Sequence, residues 1–177
     1  MLVSRAAYLL WFGIAFAAVF ALDQGIKWYF VLSGYESGDV IYFTNVISLL
    51  LVYNKGVAFS MFAFLQEWLK YLQIALLVGI FVYLWKHKEI LKEYSLALGM
   101  IFGAGISNIL DRFIHGGVVD YIFWHYRFEF AIFNFADVMI NLGVAMILFN
   151  AHKEAKTHPR IKHTKSQALP KIPYTLI

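Results

Sequence analysis

Residues 103–137 read GAGISNILDRFIHGGVVDYIFWHYRFEFAIFNFAD and hold three of the four aspartates that lie in or beside hydrophobic sequence. These three are Asp111, Asp120 and Asp137, and the fourth is Asp23. A carboxylate at membrane depth is costly, and the cost is usually tolerated only where the carboxylate serves a function. We therefore expect this stretch to organise a functional site close to a membrane surface.

The composition is that of an integral membrane protein. Of the 177 residues, 61% are hydrophobic and 15% are charged, whereas a soluble domain averages about 45–50% apolar and about 25% charged. Cysteine is absent, which excludes disulfides, thiolate metal sites and cysteine nucleophiles. The net charge of +4 is concentrated in a few segments, so we expect no nucleic-acid partner.

Four apolar segments have the length that a helix needs to cross a bilayer, which is about 20 residues. The third is rich in small residues that let neighbouring helices approach closely, at Gly99, Gly103 and Gly105. The sequence thus predicts a mainly α membrane protein with four transmembrane helices. The spans are expected at about residues 6–32, 69–85, 95–113 and 134–150.

Two segments between the spans are predicted to lie outside the bilayer. Residues 40–53 are rich in β-branched and aromatic side chains, which favours short strands and a small extracytoplasmic β-rich segment. Residues 118–133 are rich in aromatic rings, which suit a membrane–water interface, and we expect an extracytoplasmic loop there.

Basic residues are unevenly distributed between the two ends of the predicted spans. One end has Arg5, the segment 86–93 and the residues beyond 151, whereas the other end has few cations. Cytoplasmic loops carry the excess of lysine and arginine, so both termini are predicted to be cytoplasmic. Residues 1–151 then form one membrane domain, and residues 152–177 form a basic cytoplasmic tail that we expect to be mobile.

The polar residues of the spans and their flanks lie at one level, near the predicted outer surface. Such convergence is typical of a functional site, because random placement would scatter polar groups along the spans. The cluster comprises Asp23, Lys27, Asn54, Asn108, Asp111, Arg112, Asp120, Asn134 and Asp137.

Structural roles explain part of this cluster as well as a function does. Asp23 and Lys27 are four residues apart, so they share a helix face and can form a buried ion pair. The adjacent Asp111 and Arg112 favour a network that holds a helix end, since a fixed cation keeps a carboxylate ionised and engaged.

Asp120 is the acid that has no structural explanation in the sequence. Asn134 and Asp137 have the spacing of a helix N-cap and the third residue of that helix, whereas Asp120 lies in a nonpolar segment without a nearby cation. Two carboxylates at one site indicate the aspartyl mechanism, in which like charges share one proton. One acid takes a proton from water and the other donates a proton, without a metal or a cofactor.

Five motifs built from these residues resemble those of the lipoprotein signal peptidases, also called signal peptidase II. Any one motif alone is weak, but all five in this order, spread over four spans from about residue 6 to 149, are specific. The motifs are Leu22-Asp23-Gln24 with Lys27; Asn54-x-Gly56-x-Ala58-Phe59; Asn108-x-x-Asp111-Arg112; Gly117-x-Val119-Asp120; and Phe133-Asn134-x-Ala136-Asp137.

The resemblance implies an aspartic endopeptidase of the bacterial inner membrane that acts near the outer face. Its substrate would be a prolipoprotein with a diacylglyceryl group on a cysteine, cleaved just before that cysteine. We expect it to act as a monomer among membrane lipids. The family's catalytic pair corresponds to Asp120 and Asp137. Its other site residues correspond to Asp23, Lys27, Asn54, Gly56, Asn108, Asp111, Arg112, Asn134 and Ala136.

The chain departs from the family pattern at two positions. The family commonly has glycine before the asparagine of the third motif, where this chain has Ser107, whose hydroxyl can bond to its own helix. The family often has an acidic residue soon after the aspartate of the fourth motif, whereas residues 121–123 are Tyr-Ile-Phe.

Three other functions are alternatives to a peptidase. A small transporter or proton relay using intramembrane aspartates needs polar residues through the full depth of the spans, but the inner halves are apolar. A metal-dependent hydrolase would use His115, Asp120 and His125, which lack the H-E-x-x-H spacing. A structural or assembly factor without chemistry would not need so polar a cluster.

Overall fold

The computed structural model of the protein describes residues 5–56, 63–65 and 67–157. Four of the helices in this part are long and apolar enough to cross a membrane, which confirms the predicted fold class. In chain order the helices are α1 (Arg5–Leu32), α2 (Trp68–Lys86), the short α3 (Lys88–Glu93), α4 (Ser95–Ile114) and α5 (Phe135–Thr157), with one 3-10 turn at Ala63–Leu65.

The helix boundaries agree with the predicted spans except at the end of α5. That helix continues to Thr157, so residues 152–157 of the predicted tail are helical. The helix continues because residues 150–156 (Asn-Ala-His-Lys-Glu-Ala-Lys) contain no proline or glycine to end it. The other tail residues, 158–177, lie outside the described residues.

Helix α4 is the central element of the bundle. It buries most of its residues, whereas α2 and α5 leave most of theirs exposed at the surface of the protein. Gly99 and Gly103 make this possible: a Cβ atom would lie 2.4 Å from Phe12 O at the first position and 2.5 Å from Phe16 O at the second. The two glycines therefore set the close approach of α1 and α4.

A three-stranded antiparallel sheet packs at one end of the bundle, which we call the sheet end. Its strands are β1 (Val40–Phe43), β2 (Ile47–Asn54) and β3 (Val118–Trp124), in the order β1-β2-β3. The first two strands agree with the strands predicted in residues 40–53. The third occupies the first half of the segment that was predicted as an aromatic loop.

Strand β3 was missed because its sequence shows no alternation of apolar and polar residues. Val118, Val119, Asp120 and Tyr121 are all buried, since the strand is covered on both faces, and such strands read as continuous apolar runs. Phe30 of α1 stacks on Tyr121 with ring centroids 4.6 Å apart. This packing holds β3 against the end of α1.

A bulge in β2 sets which residues of β2 and β3 face each other. Leu49 pairs with Ile122 and Val52 pairs with Asp120, so β2 has one residue more than β3 between these pairs. A β-bulge of this kind redirects side chains and is common beside active sites. Because Asn54 lies two residues beyond Val52, Asn54 and Asp120 share one face of the sheet.

Candidate active site

The two acids expected to act together lie against the same cavity. Asp120 is on β3 and Asp137 is in the first turn of α5, and both line a cavity of about 620 Å³ at the sheet end. The strand and the helix are joined by the aromatic segment, which bends back so that Phe133 pairs with Ile122. Two acids 17 residues apart in the sequence thus meet at one place.

Asn134 connects the two carboxylates directly. Its side-chain Nδ2 donates to Asp120 Oδ1 at 2.7 Å. Its backbone N–H donates to Asp137 Oδ2 at 3.2 Å, and its Oδ1 accepts from the Asp137 backbone N–H at 2.9 Å. The last two bonds are the reciprocal pair of a helix capping box. Asn134 therefore caps α5, as its spacing from Asp137 predicted, and it also contacts the other acid, Asp120.

Two further asparagines hold the remaining carboxylate oxygens. Asn54 Nδ2 donates to Asp120 Oδ2 at 2.9 Å, and Asn108 Nδ2 donates to Asp137 Oδ1 at 3.0 Å. Every side-chain donor to the two acids in the described part of the chain is thus a neutral amide. A neutral amide orients a carboxylate without neutralising its charge. These hydrogen bonds are therefore compatible with the two acids sharing one proton.

The Asp120 carboxyl group is strongly perturbed. It is 2% exposed, and burial, followed by the nearby charge of Asp137, raises the pKa of Asp120 from 3.8 to about 7. The hydrogen bonds from Asn54 and Asn134 and the charge of Lys27 oppose this shift without cancelling it. Near neutral pH a substantial fraction of the protein therefore has a protonated Asp120.

Lys27 lies at the centre of a buried ion network behind the two acids. Its Nζ is 2.6 Å from Asp23 Oδ2 and 2.7 Å from Asp111 Oδ2, and it donates to Asn108 Oδ1 at 2.7 Å. The ion pair predicted between Asp23 and Lys27 is therefore present, and the same lysine also bridges α1 to α4. A buried charge of this kind is stable only when it is paired and fully hydrogen-bonded.

The two network carboxylates also hold the backbone beside the two cavity acids. Asp23 Oδ1 accepts from the backbone N–H of Ala136 at 2.8 Å, and Asp111 Oδ2 accepts from the backbone N–H of Val119 at 3.1 Å. Ala136 immediately precedes Asp137, and Val119 immediately precedes Asp120. The network therefore positions both cavity acids through the main chain.

Arg112 ties the end of β2 to the bundle. Its guanidinium donates to the backbone carbonyls of Asn54 and Gly56, and its Nε donates to Gln73 Oε1 at 2.9 Å. The Gly56 N–H in turn donates to Asn54 Oδ1 at 2.9 Å, which turns the Nδ2 of Asn54 toward Asp120. All eleven residues expected at the site thus belong to one connected network or to the cavity wall.

Sequence reasoning missed several members of this network. Gln24 Nε2 donates to Asp111 Oδ1 and to Ser107 Oγ, each at 2.8 Å. Ser107 Oγ donates to Asp23 Oδ2 at 2.6 Å, so this hydroxyl bonds across to α1 and not to its own helix as expected. The Tyr121 hydroxyl accepts from the Phe135 N–H at 3.0 Å. Gln24 was part of the first motif, Leu22-Asp23-Gln24, but was not expected at the site.

Most of the cavity wall is apolar. Its sides come from α5, from α4 and α2, and from the segment that precedes α5. Val138 and Leu142 of this wall are also 40% and 45% exposed at the surface of the bundle. The two acids line one part of the cavity. Another part opens sideways along α5, which is apolar enough to lie in a membrane.

The histidines proposed for a metal site lie in other surroundings. His115 packs beside the rings of Trp28 and Tyr53, and His125 Nε2 is 2.9 Å from Ser48 Oγ. Across residues 5–56, 63–65 and 67–157, no group of three histidine, cysteine, aspartate or glutamate residues could hold a metal ion. The geometry thus gives the metal-hydrolase alternative no support.

Comparisons with known proteins give consistent results. A family model described as Signal peptidase (SPase) II matches residues 15–153. A lipoprotein signal peptidase from Helicobacter pylori (strain Shi470) is 51% identical over 148 residues, which are 84% of this chain and 90% of that protein. The lipoprotein signal peptidase of Wolinella succinogenes is 51% identical over 80% of this chain and 92% of its own length.

The fold is similar to that of a solved protein. A bacterial membrane enzyme determined by the in meso method at 2.3 Å resolution matches with a TM-score of 0.68 over 81% of this chain and 88% of that chain. The two sequences are 23% identical, so this likeness concerns the arrangement of helices and strands. The matched region of the family model includes every acid and amide of the cavity.

Proposed function

This chain belongs to the signal peptidase II family, and from that membership we propose that it removes signal peptides from prolipoproteins. The bond cleaved is the one just before a cysteine that carries a diacylglyceryl group. The observation that supports this most directly is the pair of carboxylates, Asp120 and Asp137, held against one cavity by Asn134.

We assign the chemistry to these two acids. The ionised carboxylate of Asp137 takes a proton from a water molecule, and that water attacks the scissile carbonyl. Asp120, whose pKa is raised to about 7, donates its proton to the carbonyl oxygen. When the C–N bond breaks, Asp137 gives the proton taken from water to the leaving amine, and Asp120 regains a proton from the tetrahedral diol. The shared-proton state suits both steps, because two like charges at one site do not ionise together easily.

The remaining site residues act by position. Lys27 pairs with Asp23 and Asp111, and these two carboxylates hold the backbone beside the dyad. Arg112 and Gly56 hold the end of β2 in the orientation that directs Asn54 at Asp120. The structure contains these contacts within one chain, which supports the proposal that a monomer is active.

The cavity suits a substrate that is part peptide and part lipid. Its apolar walls can accept acyl chains and the end of a signal helix, and its lateral opening lets such a substrate enter from surrounding lipid. The carboxylates lie at the sheet end of the cavity. We infer that the bond to be cleaved reaches them at the edge of the bilayer.

We further propose that the chain lies in the bacterial inner membrane with both termini in the cytoplasm. Four cations lie at the end of the bundle opposite the sheet: Arg5 at the start of α1, Lys86 at the end of α2, Lys88 at the start of α3 and Lys153 on α5. The excess of cations on cytoplasmic loops then places the sheet and the two acids at the outer face. A reporter fused after Thr157 that is active only outside the cytoplasm would contradict this topology.

A proton relay or transporter is the alternative that the geometry does not favour. The buried charged side chains are Asp23, Lys27, Asp111, Arg112 and Asp120 in the part of the chain that the structure describes, and all lie at the sheet end. A relay needs polar groups through the depth of the membrane. The matching family and relatives are peptidases.

Cleavage of a lipid-modified prolipoprotein by the purified full chain tests the proposed function. The comparison substrate is the same prolipoprotein without the diacylglyceryl group. We expect cleavage before the cysteine of the lipidated substrate only, and a loss of at least about 100-fold in kcat for Asp120→Asn and for Asp137→Asn. The control Asp39→Asn changes an acid in a turn outside the cavity, and its activity should equal that of wild type.

Two results would contradict the proposal. Equal cleavage of both substrates would remove the lipid-specific part of it. Activity retained in both Asp120→Asn and Asp137→Asn, at normal levels of folded protein, would remove the dyad.

A further inference from the structure

Asn141 is a polar residue of α5 that the mechanism leaves without a role. It lies four residues after Asp137, which is one helical turn farther from the sheet end, and it lines the same cavity. Its side chain is exposed, and its neighbours on the cavity wall include Val138, Leu142 and Ala145. An amide in such apolar surroundings within a span is rare unless it binds something.

The carboxamide of Asn141 has hydrogen-bonding capacity to spare. One N–H of Nδ2 donates to the backbone carbonyl of Asp137 at 2.8 Å. A carboxamide offers a second N–H and a carbonyl with two lone pairs, and no described residue bonds to either of these groups. One donor and one acceptor are therefore available on the cavity side of α5.

This pair of groups is complementary to a peptide unit. A substrate segment that enters an apolar cavity in extended form brings backbone N–H and C=O groups that need partners, because no water replaces them there. A carboxamide can accept from the N–H and donate to the C=O of the same stretch of backbone. An acyl chain offers neither group.

The position of Asn141 specifies which part of the substrate it meets. The four residues from Asp137 to Asn141 advance about 6 Å along α5, and an extended chain advances about 3.3 Å per residue, so the contact lies about two residues from the cleaved bond. Because α5 runs from the sheet end into the apolar part of the bundle, this is the signal-peptide side. We propose that Asn141 binds the backbone of the signal peptide about two residues before the cleaved bond. This proposal rests on the proposed function.

Asn141 could instead bond only to its own helix. The Asp137 carbonyl already receives the backbone N–H of residue 141 in a regular α-helix, so the helix does not need the side chain. A leucine at this position has a similar size and suits lipid. The change Asn141→Leu therefore removes the amide without opening a cavity or breaking α5.

The test combines this change with a change in the substrate backbone. The probes are a lipid-modified prolipoprotein peptide and a set of analogues in which one amide at a time, over the four residues before the cleaved bond, is replaced by an ester that lacks the N–H. Asn150→Leu is the matched control, because Asn150 is also an exposed asparagine of α5 but does not line the cavity. All three proteins are compared by KM, kcat and melting temperature.

We expect Asn141→Leu to raise KM about three- to tenfold with little change in kcat, as the loss of one hydrogen bond to bound substrate predicts. Asn150→Leu should behave as wild type. One ester analogue, about two residues before the cleaved bond, should raise KM of the wild type by a similar factor and cause no further rise in Asn141→Leu.

The inference is overturned if KM of Asn141→Leu equals that of wild type, or if every ester affects the variant as much as the wild type. Either result leaves the proposed function intact, because the wild type still cleaves the all-amide peptide. If the wild type cleaves none of the lipid-modified peptides, the proposed function itself has failed.

Discussion

The side-chain amide of Asn134 donates a 2.7 Å hydrogen bond to Asp120 Oδ1, although Asn134 belongs to the cap of a helix and Asp120 to a strand. The same amide also reaches the carbonyl oxygen of Val119 at 3.3 Å. Since the backbone and Oδ1 of Asn134 are bonded to Asp137, this one residue is bonded to both acids.

Asn134→Ser separates the capping role from the bridging role. Serine caps a helix about as well as asparagine, but its hydroxyl is too short to reach Asp120. We expect the melting temperature to stay close to that of wild type while kcat falls about 10- to 100-fold, which is the effect of losing a buried hydrogen bond to a carboxyl group.

The matched variant Asn134→Ala loses both roles. It should show the same fall in kcat and an additional loss of about 1 kcal/mol in the free energy of unfolding, because the cap is gone. Equal activity of Asn134→Ser and wild type would mean that the bridge does not position the acids. Circular dichroism melting in detergent and cleavage kinetics measure the two effects.

The raised pKa of Asp120, about 7, predicts the alkaline limb of the pH–rate profile. Below this pH the carboxyl group holds the proton that the proposed mechanism donates, and above it the proton is lost. We therefore expect kcat to fall tenfold for each pH unit well above the pKa. Cleavage rates measured from about pH 5 to about pH 9 test this, because the range is centred on neutral pH. A flat profile across neutral pH would contradict Asp120 as the proton donor.

The same shift predicts how stability depends on pH. Between pH 3.8 and about 7 the folded protein retains an Asp120 proton that the unfolded chain has lost. The folded state therefore binds more protons in this window, and the contribution of Asp120 to stability falls as pH rises through it and stays low above it.

Asp120→Asn is the variant that isolates this contribution, since an amide does not titrate. The melting temperature of wild type minus that of Asp120→Asn should decrease from about pH 4 to about pH 7 and then level off. A difference that is constant over the whole range would mean that the pKa of Asp120 is not raised.

Lys27 should be one of the most sensitive positions for folding. Its side chain is 1% exposed and neutralises two carboxylates that are buried as deeply, so Lys27→Met leaves Asp23 and Asp111 unpaired. We expect a loss of about 3–5 kcal/mol in the free energy of unfolding, and a low yield of folded protein.

The control is a lysine whose partner is in solvent. Lys70 pairs with Glu67, which is 64% exposed, and Lys70→Met should cost less than about 1 kcal/mol. Thermal melting of both variants in the same detergent makes the comparison, and similar losses for the two lysines would show that the buried network contributes no more than a surface pair.

Gly103 is predicted to tolerate no side chain. A Cβ there would lie 2.5 Å from Phe16 O and 3.1 Å from Phe16 Cα, and both are backbone atoms that move only if α1 and α4 separate. Gly103→Ala should therefore destabilise the protein by about 1–3 kcal/mol and lower activity, since the network of Lys27 spans the same two helices.

Gly79 on α2 is the matched control, because a Cβ there meets nothing within 4 Å. Alanine favours a helix over glycine by up to about 1 kcal/mol, so Gly79→Ala should be neutral or stabilising. A loss of stability at Gly79 as large as that at Gly103 would mean that helix packing is not the cause. Melting temperatures of the two variants decide between these outcomes.

The features that the sequence predicted are those set by local order along the chain. Long apolar runs form helices in lipid because each backbone group must be bonded within its own segment, which is why the four spans were predictable. The pairing of Asp23 with Lys27 and the capping of α5 by Asn134 follow from spacings of four and three residues. The glycines of α4 predicted a close contact with a neighbouring helix, because residue size can be read directly from the sequence.

The features that only the tertiary structure decided join residues that are far apart in the chain. Gln24 meets Asp111 across 87 residues, and Asp23 meets the N–H of Ala136 across 113. Strand β3 forms because it pairs with β2 and packs against α1, and no pattern within residues 118–124 shows either contact. The sequence determined which acids and amides this chain has, and the folding of β3 and α5 against α4 determined that two of those acids face one cavity. The physical reason is that a hydrogen bond needs atoms within about 3 Å of each other, and only the packed chain defines that distance.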